Sequence, residues 1–307
     1  MQAKNQFSRR QIRIKIFQIL YGLGGNSEQK LVDFRNIFTK NVSHSEVAFA
    51  SLALYLVNLF EYSLIKANKD SSKYIQSGAI VTDTDLARLD FIEKIKNNPS
   101  FNAALKDNSI QFLFAEEELI KKTYNLLIET EEYKDFLTAK EDLQVLENLV
   151  LRAVEFTIEE GRLAHAFFDE RFINWEDDIE IIARWVQLLI KQPHKMVFQN
   201  TLTQEKIDFA EELLKAYFEK QEQLNGLIKP KLKNWDADRV AVIDTILLRL
   251  GLAELLFFPE IPIKVSINEY IDIAKMYSTE QSGQFVNGVL DNLRKDLEKN
   301  GTLRKHS

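Results

Sequence analysis

Cysteine is absent from all 307 residues of this chain. Its absence excludes disulfide bonds, thiolate nucleophiles and metal sites with cysteine ligands, and it is typical of a protein in a reducing cytoplasm. Glycine (10 residues) and proline (5 residues) are also scarce, which favours long helices joined by short connections. We therefore expect a cytoplasmic protein whose fold does not depend on covalent cross-links.

Sequence signatures of catalysis are missing as well. The sequence contains no HExxH, GxSxG, GxGxxG or phosphate-binding GxxxxGK[ST] pattern. Its acids often stand in runs, such as Glu131-Glu132 and Glu159-Glu160, which are typical of a solvated helix face rather than of an acid/base pair. The four histidines lack the spacing of metal ligands: they are His44, His165, His194 and His306. We expect no enzymatic activity.

Long hydrophobic segments are lacking too. The most apolar run covers residues 47–60, which is 14 residues between Glu46 and Glu61. A membrane-spanning helix needs about 20, so this run is predicted to be a buried core helix. The amino terminus is basic and amphipathic, without the apolar stretch of a secretory signal.

The net charge of −6 is unevenly distributed. Residues 1–27 carry a charge of +5 and contain no acid, whereas the remaining 280 residues carry −11. An acidic molecule with one basic segment does not coat nucleic acid indiscriminately. It could hold a short stretch of it locally.

Apolar spacing indicates helices throughout. Residues 239–258 are strongly apolar at steps of three and four, as the buried side of a helix requires. Pro259 and Pro262 end that helix, since proline has no N–H to donate. Little two-residue alternation occurs anywhere, so we predict an all-α fold. Further helices are predicted at residues 28–40, 45–67, 82–97, 116–128, 139–161 and 177–192, with a loop at 68–77.

Several polar residues are predicted to cap these helices. Ser8 is placed to cap a first helix that runs to about Leu23. Ser43 or Ser45 would cap the helix at 45–67. Two further candidates have the spacing of a capping box: these pairs are Ser266 with Glu269 and Ser278 with Gln281.

The first helix has two stripes. One is apolar and is expected to dock on the rest of the protein, and the other mixes Arg10 with Phe17 and Tyr21, with Arg13 between the two stripes. Guanidinium groups pair with phosphates, and aromatic rings stack on unpaired bases. The alternative is a solvated basic face above aromatic core residues.

One short pattern occurs twice. Residues 172–179 (FINWEDDI) resemble residues 232–239 (LKNWDADR), which lie 60 positions later. Each copy is interpreted as a Trp that fixes a loop, followed by an acidic start to the next helix. Chance and a partial internal repeat both explain the match.

Several motifs resemble one family in the order in which they occur. At the amino terminus these are Arg9-Arg10, Arg13, Gln18 and Leu20-Tyr21. Near the carboxyl terminus they are Leu248-Arg249-Leu250, Ala253-Glu254-Leu255, Ser266-Ile267-Asn268-Glu269 and Phe285-Val286-Asn287-Gly288-Val289-Leu290. This set resembles the transcription antitermination factor NusB family. The resemblance covers residues 7–23 and 205–297, and it does not extend to residues 24–204.

The resemblance implies two small helical bundles. Residues 1–25 would supply the first helix and its basic arm, and 205–300 the carboxyl-terminal core, with a tail at 301–307. Residues 26–204 would be a helical insertion or an enlarged amino-terminal bundle. Their aromatic and aliphatic content predicts a folded segment rather than a disordered linker.

The resemblance also implies an activity. The family binds the boxA segment of nascent ribosomal RNA leaders as a single strand, together with the ribosomal protein NusE. The complex then joins the RNA polymerase elongation complex and suppresses termination. No cofactor and no membrane are implied, and a homodimer that covers the RNA-binding face is one alternative for this chain.

Site residues follow from the matched positions. For RNA phosphates these are Arg9, Arg10 and Arg13, followed by Lys15; weaker RNA matches are Gln281, Phe285 and Asn287. The ribosomal protein would contact Tyr21 and Asp244. Asp244 stands where the family is expected to have Glu, which shortens its reach by one methylene. We expect the three arginines to be exposed, so that replacing them leaves stability nearly unchanged.

Two rival classes remain. One is a non-enzymatic protein-binding scaffold that has lost RNA binding. The other is a stand-alone relative of the NusB-like domain of ribosomal RNA cytosine methyltransferases. The absence of cysteine and of a glycine-rich cofactor loop argues against an active methyltransferase.

Overall fold

The computed structural model describes residues 5–23, 31–73, 84–107, 110, 113–114, 117–232 and 240–303. These residues form α-helices and short 3₁₀ segments with no β-strand among them, which confirms the all-α prediction. In chain order the helices are α1 (Arg9–Gly22), α2 (Leu31–Lys73), α3 (Asp90–Lys96), α4 (Pro99–Asp107), α5 (Glu117–Leu127), α6 (Glu131–Thr138), α7 (Leu143–Glu155), α8 (Leu163–Arg171), α9 (Trp175–Lys191), α10 (Gln204–Glu219), α11 (Gln221–Ile228), α12 (Val242–Phe257), α13 (Ile263–Tyr277) and α14 (Glu280–Lys299).

The chain divides into two compact units. We call Met1–Gln6 with Val42–Thr201 the central unit, and Phe7–Asn41 with Leu202–Ser307 the terminal unit. The division falls within α2, between Asn41 and Val42. The terminal unit thus joins the first helix of the chain to its last five.

The terminal unit is built around α12. This helix packs against α1, α10, α11, α13 and α14. Leu247, Leu250 and Leu252 are fully buried in it. Gly251 permits the close packing, because a Cβ there would lie 2.9 Å from a methyl carbon of Leu290 and 3.2 Å from the ring of Tyr270. The apolar period of residues 239–258 therefore marks the helix on which the others assemble.

The central unit has its own aromatic core. The ring of Phe49 lies 5.2 Å from that of Trp185 and 5.1 Å from that of Phe198. Trp175 donates from Nε1 to the carbonyl of Thr157 at 2.7 Å, so it joins the start of α9 to the segment that follows α7. The second copy of the Trp pattern, at 232–239, lies outside the described residues except for residue 232.

One long helix replaces two predicted ones. We expected helices at 28–40 and 45–67 and a loop from residue 68, but α2 is continuous through Lys73. Glycine and proline are absent from residues 31–73, so nothing breaks the helix. Ser45 does not cap; its hydroxyl donates to Asp178 at 2.5 Å. Residues 74–77 of the predicted loop lie outside the described residues.

The same helix contains a segment, Phe34–Asp70, that is long and apolar enough to cross a membrane. Length and composition alone do not separate such a helix from the core helix of a globular unit. Inside the protein, 72% of its most apolar window is buried. This burial supports the prediction that residues 47–60 form a buried core helix.

Other helix boundaries also differ from the predictions. The segment predicted as one helix at 82–97 holds a 3₁₀ turn at Asp85–Arg88 and the short α3, because Leu89 is extended (φ −58°, ψ 129°). Pro99 begins α4 rather than only ending its predecessor, since proline suits the first helical position. The side chain of Asn98 accepts from the amides of Ser100 and Phe101 at 2.8 and 3.1 Å.

Two predicted caps in the terminal unit are wrong. Helix α13 begins at Ile263 directly after Pro262, and Ser266 is buried inside it. Helix α14 is capped by Thr279, whose hydroxyl accepts from the amide of Ser282 at 3.1 Å. Proline sets the start of α13 by fixing its own φ, which leaves Ser266 no terminal amide to bind.

Candidate nucleic-acid interface

The basic start of α1 has a well-defined cap. Ser8 Oγ accepts from the amide of Gln11 at 3.3 Å, while Ser8 N donates to Gln11 Oε1 at 2.7 Å. This reciprocal pair is a capping box, and it confirms the predicted cap. The cap fixes where Arg9 and Arg10 lie at the beginning of the helix.

Arg13 lies within the terminal unit rather than on its surface. Its Nε and Nη2 donate to the two carboxylate oxygens of Glu254 at 2.7 and 2.8 Å. Tyr270 donates its hydroxyl to Glu254 at 3.1 Å. The bonds from Arg13 to Glu254 join α1 to α12.

The pKa shifts of Arg13 and Tyr270 keep the arginine charged and the tyrosine neutral near pH 7. Burial alone would lower the pKa of Arg13, but its hydrogen bonds to Glu254 and the charge of Glu254 reverse that effect and raise the pKa. Burial, followed by the charge of Glu254, holds the pKa of Tyr270 well above its ordinary value of 10.0. Arg13 is therefore a permanent cation and Tyr270 a neutral donor near pH 7.

The expected exposure of the basic residues of α1 is only partly observed. Arg13 and Lys15 are each 2% exposed, so Arg13 is not the surface residue that was expected. Arg9 and Arg10 have side chains that are 33% and 29% exposed. Only these two of the four predicted cations are accessible to a phosphate in this structure.

Both accessible arginines are held by acids. Arg9 Nη2 lies 3.1 Å from Glu205 on α10. Arg10 Nη1 lies 3.2 Å from Asp272 and 3.5 Å from Glu269, both on α13. None of these three pairings was predicted from the sequence, because the acids follow the arginines by roughly two hundred residues or more. In the sequence these acids stand out only as acidic residues at the start or on a face of an amphipathic helix. That pattern is too common to identify them as partners of the arginines.

A ring on α10 also touches the arginines. The guanidinium carbons of Arg9 and Arg13 lie 5.4 and 5.3 Å from the centroid of the Phe209 ring. Cations over an aromatic face are attracted by its quadrupole. Phe209 itself is 4% exposed and packs edge-on against Phe258. It therefore acts as a rigid support for the basic side of α1.

The carboxyl end of α1 presents an aromatic group. Tyr21 is 50% exposed, and its ring lies 6.0 Å from that of Phe17. Phe17 in turn contacts the ring of Tyr277 at 4.9 Å, and Gln18 donates to the hydroxyl of Tyr277 at 2.9 Å. We name Phe17, Tyr21 and Tyr277 the aromatic cluster. Tyr21 remains available to a partner, whereas Phe17 is core.

The predicted residues on α12 and α14 are divided between surface and core. Gln281 and Asn287 are exposed, but Phe285 is 6% exposed. Asp244 is 7% exposed and accepts a hydrogen bond from the hydroxyl of Ser282. Burial raises the pKa of Asp244, an effect that the Ser282 hydrogen bond opposes. The predicted set therefore does not form one continuous exposed surface.

Metal chemistry finds no support in the described part of the chain. No group of three or more histidine and acidic residues there is placed to hold an ion. What the geometry does offer is a basic helix start, an aromatic cluster and polar residues on α14, all in one helical unit. Cationic and aromatic groups of this kind suit contacts with phosphates and unpaired bases.

Partly exposed arginines and an exposed aromatic ring on one helix of an all-α protein are features of helical binding proteins. Comparisons with known proteins refine that class. The family model described as NusB family matches residues 170–295. The match begins in α8 and so includes residues 170–204, which were predicted to belong to the middle segment. No solved structure matches the chain.

Curated relatives match about a third of the chain. Transcription antitermination protein NusB of Salinibacter ruber is 47% identical over 98 residues, which are 32% of this chain and 61% of that protein. The proteins of the same name from Bacillus licheniformis and Bacillus subtilis are 43% identical over 95 residues and 41% over 101 residues, covering 74% and 77% of their lengths. This chain belongs to the NusB family.

Proposed function

We propose that this chain is a non-enzymatic, cytoplasmic transcription antitermination factor. It binds single-stranded boxA-like RNA together with the ribosomal protein NusE, and the complex joins the RNA polymerase elongation complex. The observation that carries the proposal is the 41–47% identity of about a third of the chain to proteins named for antitermination. The exposed arginines at the start of α1 give RNA a point of contact.

In this proposal the RNA phosphates meet Arg9 and Arg10. Both lie at the capped start of α1 and are accessible. Guanidinium groups bind phosphates bidentately, so two arginines in the first turn suit two successive phosphates. Arg13 takes a different part from the one first assigned: its pair with Glu254 fixes the helix that carries the other two. Lys15 is buried, so it does not contact the RNA in this proposal.

The bases and the protein partner would use the other exposed groups. Gln281 and Asn287 are exposed on α14 and carry amides that hydrogen-bond base edges. Phe285 supports them from within the core. Tyr21 offers a half-exposed ring to the ribosomal protein. Asp244 would reach that protein only if Ser282 released its carboxylate.

The test compares the full chain with the variant R9A/R10A. Fluorescence anisotropy measures the affinity for a boxA-like RNA, with NusE present, across a salt series. Each phosphate contact on a single strand contributes roughly 0.7 to the log–log salt slope. Losing two contacts should flatten the slope by up to about 1.4 and weaken binding by tenfold or more.

A matched control keeps this test specific. Lys215 and Lys220 are exposed on or directly after α10, so K215A/K220A removes the same charge from the same unit. That control should retain nearly the parent affinity. If R9A/R10A also binds like the parent across the salt series, the start of α1 is not the RNA site and the proposal fails at its central point.

A further inference from the structure

The accessible arginines of α1 come with acidic partners that are more exposed than they are. Arg9 is 33% exposed and its partner Glu205 is 64% exposed. Arg10 is 29% exposed and its partner Asp272 is 54% exposed. The carboxylates are therefore more accessible to solvent than the guanidinium groups they pair with, and a phosphate that binds either arginine meets a carboxylate beside it.

The pairs hold only modest energy. Exposed ion pairs are weak, because water screens the charges and two long side chains lose freedom. A phosphate can therefore displace each carboxylate, but the displaced acid stays close and repels it. Glu205 is also shared, since Lys206 lies 3.4 Å from the same oxygen. The pKa of Glu205 is lowered by Lys206 and Arg9, so the acid remains charged near pH 7.

We infer that Glu205 and Asp272 are built-in competitors of RNA phosphate at Arg9 and Arg10. They set a threshold that restrains sequence-independent binding of polyanions, so that binding depends on additional contacts to bases or to a protein partner. This inference rests on the proposed RNA-binding function. Phosphate contacts carry no sequence information, so the acids restrain all RNA equally at this point.

Competition between the carboxylates and the RNA phosphates changes the salt dependence of RNA binding. A guanidinium that binds RNA releases condensed counterions, but here it also releases a carboxylate. The released carboxylate attracts cations from solution, which offsets part of the counterion release. The parent should therefore show a shallower salt slope than two unpaired arginines would give.

The test uses the isosteric variant E205Q/D272N of the full chain. Glutamine and asparagine keep the shape and polarity of the acids and remove only their charge. Glu269 is left unchanged because it also lies 3.8 Å from Arg13 of the buried pair. The matched control is E212Q/E222Q, which removes two exposed acids from α10 and α11. Anisotropy reports the affinity of each protein for a boxA-like RNA and for an unrelated single strand of equal length.

We expect E205Q/D272N to bind both RNAs more tightly, by about two- to fivefold per pair removed, which is the effect of an exposed ion pair. Its salt slope should be steeper than that of the parent by a part of the roughly 0.7 that each phosphate contact contributes. The control should change both quantities much less. Adding R9A/R10A to the variant should abolish the gain, since the arginines are the groups released.

The outcomes separate this inference from the proposed function. If the parent binds RNA through Arg9 and Arg10 but E205Q/D272N matches the control in affinity and slope, the inference is overturned and the function stands. If the variant binds RNA that the parent does not bind detectably, the acids block the site and the inference holds. If neither protein binds RNA, both proposals are overturned.

Discussion

Replacing Arg13 with methionine should destabilise the terminal unit strongly. The change removes a cation that is 2% exposed and leaves Glu254, which is 0% exposed, without its charge partner. Of the three hydrogen bonds from Arg13 and Tyr270 to that carboxylate, only the one from Tyr270 at 3.1 Å would remain. Methionine fills much of the space of the arginine stem, so the lost charge pairing dominates the effect.

The magnitude follows from the burial of the pair. Removing one partner of a buried, hydrogen-bonded ion pair costs about 3–5 kcal/mol, because an uncompensated charge is left in the interior. The double variant R13M/E254M removes both charges and needs no compensation. It should recover about 2 kcal/mol or more of that loss, since well-packed apolar groups often replace a buried pair at little cost. Tyr270 then keeps an unpaired hydroxyl, which limits the recovery.

Urea unfolding followed by circular dichroism measures these differences. With a slope near 2 kcal/mol per M, the loss corresponds to a midpoint lowered by roughly 1.5–2.5 M. The matched control is R10M, an Arg→Met change one turn earlier at an exposed pair, which should cost less than about 1 kcal/mol. A midpoint for R13M equal to that of R10M would refute the reasoning, because it would mean that the Glu254 pair contributes no more than a surface one.

Two further predictions concern titrating groups. The folded pKa of Tyr270 lies above the unfolded value of 10.0, so the folded state keeps a proton that the unfolded state loses, and stability should fall as the pH rises above 10. The slope contributed by this group is at most about 1.4 kcal/mol per pH unit. Y270F should remove that share in urea midpoints measured between pH 9 and 11, whereas an unchanged slope would contradict it. The pKa of Asp244 is likewise raised, from 3.8. The stability that its protonated form contributes is therefore lost as the pH rises through the folded pKa, and the buried carboxylate destabilises the folded state at pH 7. D244N retains an acceptor for Ser282 and should unfold at an equal or higher temperature at pH 7. It should bind NusE about 1–3 kcal/mol more weakly. Unchanged binding would show that Asp244 does not face the partner.

Features that one helix determines were predictable from the sequence. The capping box of Ser8 and Gln11 involves residues three apart, and it begins α1 where the pattern indicated. The apolar period of residues 239–258 identified the buried helix α12. Scarce glycine and proline, with no strand alternation, predicted the helical class. Such signals survive because local hydrogen bonding and side-chain spacing fix them whatever the rest of the chain does.

The continuity of α2 shows where local signals compete. Ser43 and Ser45 are good caps, and a break there was a reasonable prediction. In the structure Ser45 bonds to Asp178, a residue 133 positions away. A hydroxyl that finds a tertiary partner has no need to end a helix. The choice between cap and helix interior was therefore made by packing, which the spacing of serines does not reveal.

For the basic helix, composition determined the charge and tertiary structure determined its use. The sequence placed five cations and no acid in residues 1–27. It did not show that Glu254 would take Arg13 into the interior, or that Glu205 and Asp272 would pair with Arg9 and Arg10 at the surface. These partners are 196 to 262 residues away along the chain. Helical periodicity tells which side chains share a face, but the neighbour of that face, and hence the charge that a ligand meets, is decided only when α10, α12 and α13 pack against α1.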